Sequence, residues 1–154
     1  MHRVPLALVL LLLACGPTTE QRAALEDRSR EAASRDTVAA AARVFDTAAF
    51  DSIRWGSEEA MLARGGQVYQ VSCSKCHGPG GAGGSGLVLH GDTVRGPSLV
   101  AADWELSGRE AAIRQVIFTG TAHDMPHWGL EGLELPDIQA VAAYVDRELR
   151  RPTG

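Results

Sequence analysis

Apolar positions fall into unlike stretches along this chain. Leu6 to Leu13 is an unbroken run of eight apolar residues after the polar, basic His2-Arg3. From Gly16 to about Gly56 the apolar residues are mostly alanine among Arg, Glu and Asp, which predicts a partly helical segment over Glu20 to Phe50 that builds no core alone. Phe45, Phe50, Ile53 and Trp55 at its end are placed to clip onto the downstream domain. From Ser57 the spacing turns helical. Ser57 reads as an N-cap, Glu58 and Glu59 suit the positive end of a helix, and Met61, Val68 and Tyr69 mark its apolar face. A second helix is expected from a capping box at Ser107-Gly108-Arg109-Glu110, burying Ile113, Val116 and Ile117 and stopping at Gly120. A third has Pro136 in its first turn and Ile138, Val141, Ala142, Val145 and Leu149 at helical spacing. Leu135 is a poor cap for it. No run of period-2 alternation competes, so the fold class is all-α, a small fold of about three main helices.

The run of eight fits a signal-peptide core, since a membrane-spanning helix needs about 20 apolar residues. Leu12-Leu13-Ala14-Cys15 resembles a bacterial lipobox, in which the cysteine is lipidated and becomes the first mature residue. The alternative is ordinary cleavage near Ala14, leaving a free Cys15. The expected organisation is a signal peptide over 1–14, a lipid-anchored tether over 15–56, a folded domain over 57–150 and a tail over 151–154. Export without Arg3 leaves 14 basic and 19 acidic residues, a net charge of −5. Such a balance argues against nucleic acid and leaves a mildly acidic surface that suits a basic docking patch.

Cys73-Ser74-Lys75-Cys76-His77 carries the chemistry. On a helical turn, positions i, i+3 and i+4 share one face. Two thiols there can add across the vinyl groups of a haem while the imidazole binds its iron, so C-x-x-C-H reads as a c-type haem attachment site. Two other readings use the same residues. A thiol-redox C-x-x-C belongs beside a βαβ pattern, which is missing here. A structural zinc site needs about four ligands, usually two Cys/His pairs, and only one pair exists. The domain from Ser57 to Arg150 is Gly-rich and short of large apolar side chains, so a covalent haem would complete its core and the haem-free chain is expected to fold poorly.

Gly65, Tyr69 and the C-x-x-C-H turn, the Met125-Pro126 pair and the terminal Val141-Ala-Ala-Tyr-Val145 helix together resemble a class I monohaem cytochrome c, over roughly Ser57 to Leu149. The resemblance implies that the first and last helices cross near Gly65 and Tyr144. It implies haem thioethers at Cys73 and Cys76 and axial ligands at His77 and Met125. Counting methionines sharpens this: Met1 leaves with the signal peptide and Met61 lies on an apolar stripe, so Met125 remains. His123 and His127 flank it and are the rival ligands, or else solvated loop histidines near the haem propionates. His90 reads as a surface residue. In the family a proline carbonyl holds the proximal histidine, and Arg95-Gly96-Pro97-Ser98-Leu99 resembles that element, with Pro97 as the carbonyl and Leu99 packing on haem. The Gly-rich insert from Gly78 to Val94 departs from the family pattern. Trp128 resembles the aromatic after the Met-Pro pair, and Trp104 has no role beyond packing.

The expected function is a membrane-tethered one-electron carrier with a single covalent haem c, not itself an enzyme, working in an extracytoplasmic respiratory or related chain. Its expected place is a bacterial membrane facing the periplasm, held by a lipid on Cys15, with redox proteins as partners. His/Met ligation raises the reduction potential relative to bis-histidine. The alternative is a haem-based sensor in which NO or CO displaces a labile Met125.

Overall fold

The computed structural model describes residues 16–150 except 85, 90, 91, 123 and 124. They fall into two compact units, divided between Ala33 and Ser34. Helix α1 (Thr19–Val44) begins in the first, and its residues from 19 to 30 are exposed on every face. Its start is a true capping box. Thr18 Oγ1 accepts from the Gln21 N–H (3.2 Å) while Gln21 Oε1 accepts from the Thr18 N–H (2.8 Å), so two otherwise orphaned donors are satisfied reciprocally.

The second unit is built mainly from helices. A short α2 (Thr47–Asp51) is capped by Asp46, whose carboxylate accepts from Ala48 N. Helix α3 (Glu58–Val68) starts as expected, with Ser57 Oγ accepting from Ala60 N at 3.1 Å. It widens into a π-type turn over Tyr69–Cys73 and tightens again into α4 (Ser74–His77). Helix α5 (Glu110–Thr119) ends at Gly120, whose φ is +67°. Helix α6 (Trp128–Glu131) is one turn, and α7 (Leu135–Tyr144), with Pro136 in its first turn, continues as a π-type turn over Val145–Leu149.

Two expectations about local structure change. The box at Ser107 does not form: Arg109 occupies the N-cap position of α5 and makes no side-chain cap. Ser107 instead sits in a turn, its N–H donating to the Trp104 carbonyl, and the Gly108 N–H is taken by Asp146 Oδ1 (2.8 Å). The Gly-rich insert also carries a small antiparallel ribbon, β1 (Leu87–Leu89) against β2 (Asp92–Val94), with Val88 opposite Thr93. Three residues per strand are too few to register as alternation in the sequence.

The core forms where α3 crosses α7. Ile138, Val141, Tyr69 and Phe50 are fully buried, and Val68, Leu99, Ile113, Ile117 and Phe118 belong to the same cluster. The crossing is close because small residues meet there. A Cβ on Gly65 would lie 2.1 Å from the Ala140 carbonyl oxygen and 2.7 Å from Tyr144 Cβ.

Residues 34–56 share this core. Phe45, Phe50 and Phe118 form an aromatic triple with centroids 5.3–6.2 Å apart, and Ala41 is fully buried. Burying one such Phe side chain stabilises by about 2 kcal/mol. Trp55 Nε1 donates to Gln139 Oε1 (2.8 Å), whose own amide donates to the Phe50 carbonyl. Arg114 is buried with its guanidinium 4.9 Å from the Phe50 ring centroid. At the domain's outer edge Arg147 bridges Glu58 (2.7 Å) and Glu110 (2.6 Å), joining the starts of α3 and α5 to the C-terminal turn.

Candidate functional site

The C-x-x-C-H segment occupies one helical turn. Cys73 is the N-cap residue of α4, with Cys76 and His77 inside it, and both thiols are free and half-buried. The π-type turn before it starts at Tyr69, which is fully buried in the core, and hands the chain on to α4. Tyr69 Oη donates to the Gly78 carbonyl at 2.7 Å, tying the residue after His77 back to the helix. Gly78 leaves the turn at φ +77°, where L side chains are strained.

The returning loop closes over this turn. Gly83 N donates to the His77 carbonyl (2.7 Å) and Gly96 N to the Cys76 carbonyl (3.0 Å). His77 Nδ1 lies 3.0 Å from the Pro97 carbonyl oxygen. A carbonyl only accepts, so Nδ1 is the donor and Nε2 is the ring nitrogen left to ligate. Gly96 makes the approach feasible: a Cβ there would lie 2.5 Å from His77 Nδ1. Leu99 is buried, its N–H donating to the Gly81 carbonyl (2.7 Å). Arg150 then clamps the loop, donating to the Leu99 and Ala101 carbonyls with its guanidinium 5.4 Å from the Trp104 ring centroid. The contact of Gly96 with the His77 ring and the clamp by Arg150 leave no local signal in the sequence, because the partners lie 19 and 51 residues away.

Burial, with Cys76 nearby, pushes the Cys73 thiol up to about 12. A redox-active or metal-binding cysteine needs the opposite shift, toward thiolate. Among the described residues no cluster of three or more His, Cys, Asp or Glu could hold a metal ion. Burial also lifts the Tyr69 phenol to about 12. Its folded-state value is raised, so its contribution to stability is complete below pH 10 and lost as pH climbs from about 10 to 12. Tyr69→Phe is expected to cost about 1 kcal/mol in urea unfolding at pH 7 and to flatten that alkaline loss. An alkaline limb unchanged in the variant would assign it to another group.

Met125 and Trp128 lie on a second segment between α5 and α7. Both are half-buried and pack, as Cys73 does, against the apolar cluster that contains Leu99. Gly129 follows so closely on Phe118 that a Cβ would lie 2.4 Å from its ring. His127 is no solvated loop histidine: it is half-buried, with Nδ1 2.6 Å from the Thr119 carbonyl oxygen. Met61 sits half-buried on α3. Cys15, His90 and His123 lie outside the described residues.

The donor set suits a covalent haem. Two free thiols stand one turn apart, an imidazole is fixed through Nδ1 so that Nε2 is the nitrogen left to ligate, and a thioether is held on the same core.

Comparison with known proteins agrees. The family model for cytochrome C oxidase, cbb3-type, subunit III matches residues 60–145. The cbb3-type cytochrome c oxidase subunit FixP of Sinorhizobium medicae is 32% identical over 97 residues, covering 57% of this chain and 30% of that protein. Subunit CcoP of Azospirillum brasilense is 33% identical over 89 residues, covering 58% and 29%. FixP of Bradyrhizobium diazoefficiens is 34% identical over 84 residues, covering 54% and 26%. The chain thus spans three-tenths or less of the length of these relatives. No solved structure matches.

Proposed function

Because the chain belongs to the family of cbb3-type cytochrome c oxidase subunit III, we propose that it is a one-electron carrier holding a single covalent haem c. When bound, that group supplies an iron centre cycling between ferric and ferrous. Cys73 and Cys76 would hold it as thioethers, and His77 and Met125 would be the ligands of its iron. The observation that carries this reading is the His77 Nδ1–H···O=C Pro97 bond within the C-x-x-C-H turn. It fixes the tautomer and orients the ring. Leu99 and Trp128 exclude water from the macrocycle. With an imidazole and a thioether both bound, the iron would have no position for substrate, which makes the chain by itself an electron-transfer protein and not an enzyme.

The proposed partners are redox proteins of a respiratory chain, among them an oxidase of the kind that names the relatives. Docking of such carriers is small in area and weak, which permits turnover. Among the described residues no helix is long and apolar enough to cross a membrane. The proposed anchor is a lipid on Cys15 of the exported protein, at a bacterial membrane on its periplasmic side. The exposed residues that follow Cys15 would tether the haem domain to that lipid.

The test is the visible and near-infrared spectrum of the exported, haem-loaded protein. A sharp reduced α-band, a weak sulfur-to-iron band in the oxidised form and indifference to CO are expected. Met125→Ala is expected to abolish the sulfur band, lower the potential and admit CO. A Met125→Ala protein that keeps the wild-type spectrum would remove Met125 as ligand. Ready CO uptake by the wild type would overturn the carrier reading in favour of a ligand-binding haem protein.

A further inference from the structure

We infer that His127 is the positioning residue of the methionine loop, anchoring the backbone that carries Met125 to the C-terminus of α5. This rests on Met125 being the axial ligand proposed above.

The last carbonyls of an α-helix lack intrahelical partners. At the end of α5 one of them, on Thr119, accepts from His127 Nδ1 at 2.6 Å. The acceptor is a carbonyl, so the proton resides on Nδ1. The main chain of the same residue is held separately, with the His127 N–H donating to Glu131 Oε1 at 3.0 Å. Residue 127 is therefore fixed through both its ring and its backbone.

Gly120 lets the loop fold back over this anchor. Its φ of +67° turns the chain out of the helix, and its missing side chain leaves the space. A Cβ there would lie 2.6 Å from His127 Nδ1, 2.6 Å from the Met125 carbonyl oxygen and 2.9 Å from that of Pro126. Met125, Pro126 and His127 thus pack directly on one glycine. The Thr121 N–H closes the arrangement by donating to the Met125 carbonyl at 3.3 Å.

The link from anchor to ligand is short and stiff. Pro126 locks its own φ and biases Met125 toward extended backbone. Only that one residue separates Met125 from His127, so slack at the His127 ring is transmitted to the methionine. The imidazole acts as a peg in a helix end, and the thioether hangs from the next-but-one residue.

The experiment compares haem-loaded full-length wild type with His127→Leu, His127→Asn and Glu131→Ala. Leu keeps bulk without a donor, and Asn restores a donor near the Nδ1 position. Glu131 is exposed, so its removal loosens the same turn without opening the core. The readouts are the sulfur-to-iron band, the extent of CO binding by the ferrous protein, and helical circular dichroism. Losing one hydrogen bond corresponds to about a tenfold rise in the methionine-detached fraction for His127→Leu. His127→Asn is expected to return CO binding to within about threefold of wild type, and Glu131→Ala to raise it about threefold. A wild type without the sulfur band overturns the Met125 ligand reading itself. A wild-type band with His127→Leu folded and indifferent to CO overturns the role of His127 alone. Should His127→Leu fail to fold, unchanged CO binding in Glu131→Ala overturns it equally.

Discussion

Gly65→Val is expected to yield protein with little covalent haem and no cooperative unfolding transition. The position is where α3 crosses α7, the most intimate helix contact in the domain. Even a bare Cβ at residue 65 would sit 2.1 Å from the Ala140 carbonyl oxygen, 2.7 Å from its carbon and 2.7 Å from Tyr144 Cβ. None of these atoms moves with a rotamer change, so the helices themselves must separate. Overpacking that side chains can absorb costs about 1–3 kcal/mol. Here the whole buried face of α7, including Ala140 to Ala143, loses contact, and a cost of about 4 kcal/mol or more is expected. A small domain has only about 5–15 kcal/mol in total. Gly66→Ala is the control. Its Cβ would meet the Tyr144 ring edge at 3.2 Å, which can yield, and about 1 kcal/mol is expected. Haem absorbance per chain and urea denaturation measure both. A Gly65→Val domain with the wild-type midpoint would show that the crossing tolerates a wider spacing.

Gly96→Ala is expected to keep its haem attached but lose a well-formed iron–histidine bond. The thiols lie elsewhere in the turn, so attachment proceeds. The new methyl would lie 2.5 Å from His77 Nδ1, 2.6 Å from Cε1 and 2.9 Å from Cγ. Ring and loop must part, and the Nδ1–H···O=C Pro97 bond of 3.0 Å is the link that breaks. Loss of such a support to a ligating histidine costs about 10–100-fold in ligand affinity. Mixed-spin ferric haem, a shifted potential and CO uptake on the histidine side are the expected signatures. Pro97→Ala retains the backbone carbonyl and is expected to be far milder. Equal effects from the two variants would locate the damage in the loop's shape rather than in the imidazole.

These two glycines mark the reach of local sequence. Gly65 was legible because it lies one turn before Tyr69 and two before Cys73, within a family pattern. Gly96 stood in the Arg95-Gly96-Pro97-Ser98-Leu99 element, but its role was not legible, since only folding brings it against the His77 ring. Capping signals behaved the same way. Ser57 capped α3 as read, whereas the Ser107 box lost to a turn in which the Gly108 N–H is taken by Asp146, 38 residues away. The box at Thr18 and Gln21 formed on a helix start that is exposed on all sides.

What the sequence determined by itself is local chemistry: two thiols and an imidazole on one turn, one methionine before a proline, and the helical spacing that makes the domain all-α. Covalent spacing sets these within a turn or two, whatever the rest of the chain does. The family pattern already pointed to the Pro97 carbonyl at His77, and the apolar end of the tether to a clip onto the domain. Tertiary structure alone decided that Phe118 is the ring Phe45 and Phe50 meet, that Gly96 lies against His77, that Arg150 clamps the loop beyond it, and that His127 caps α5. Each of these pairs residues 8 to 73 positions apart. Their geometry comes from how buried helices cross and loops return, which no short window of sequence contains.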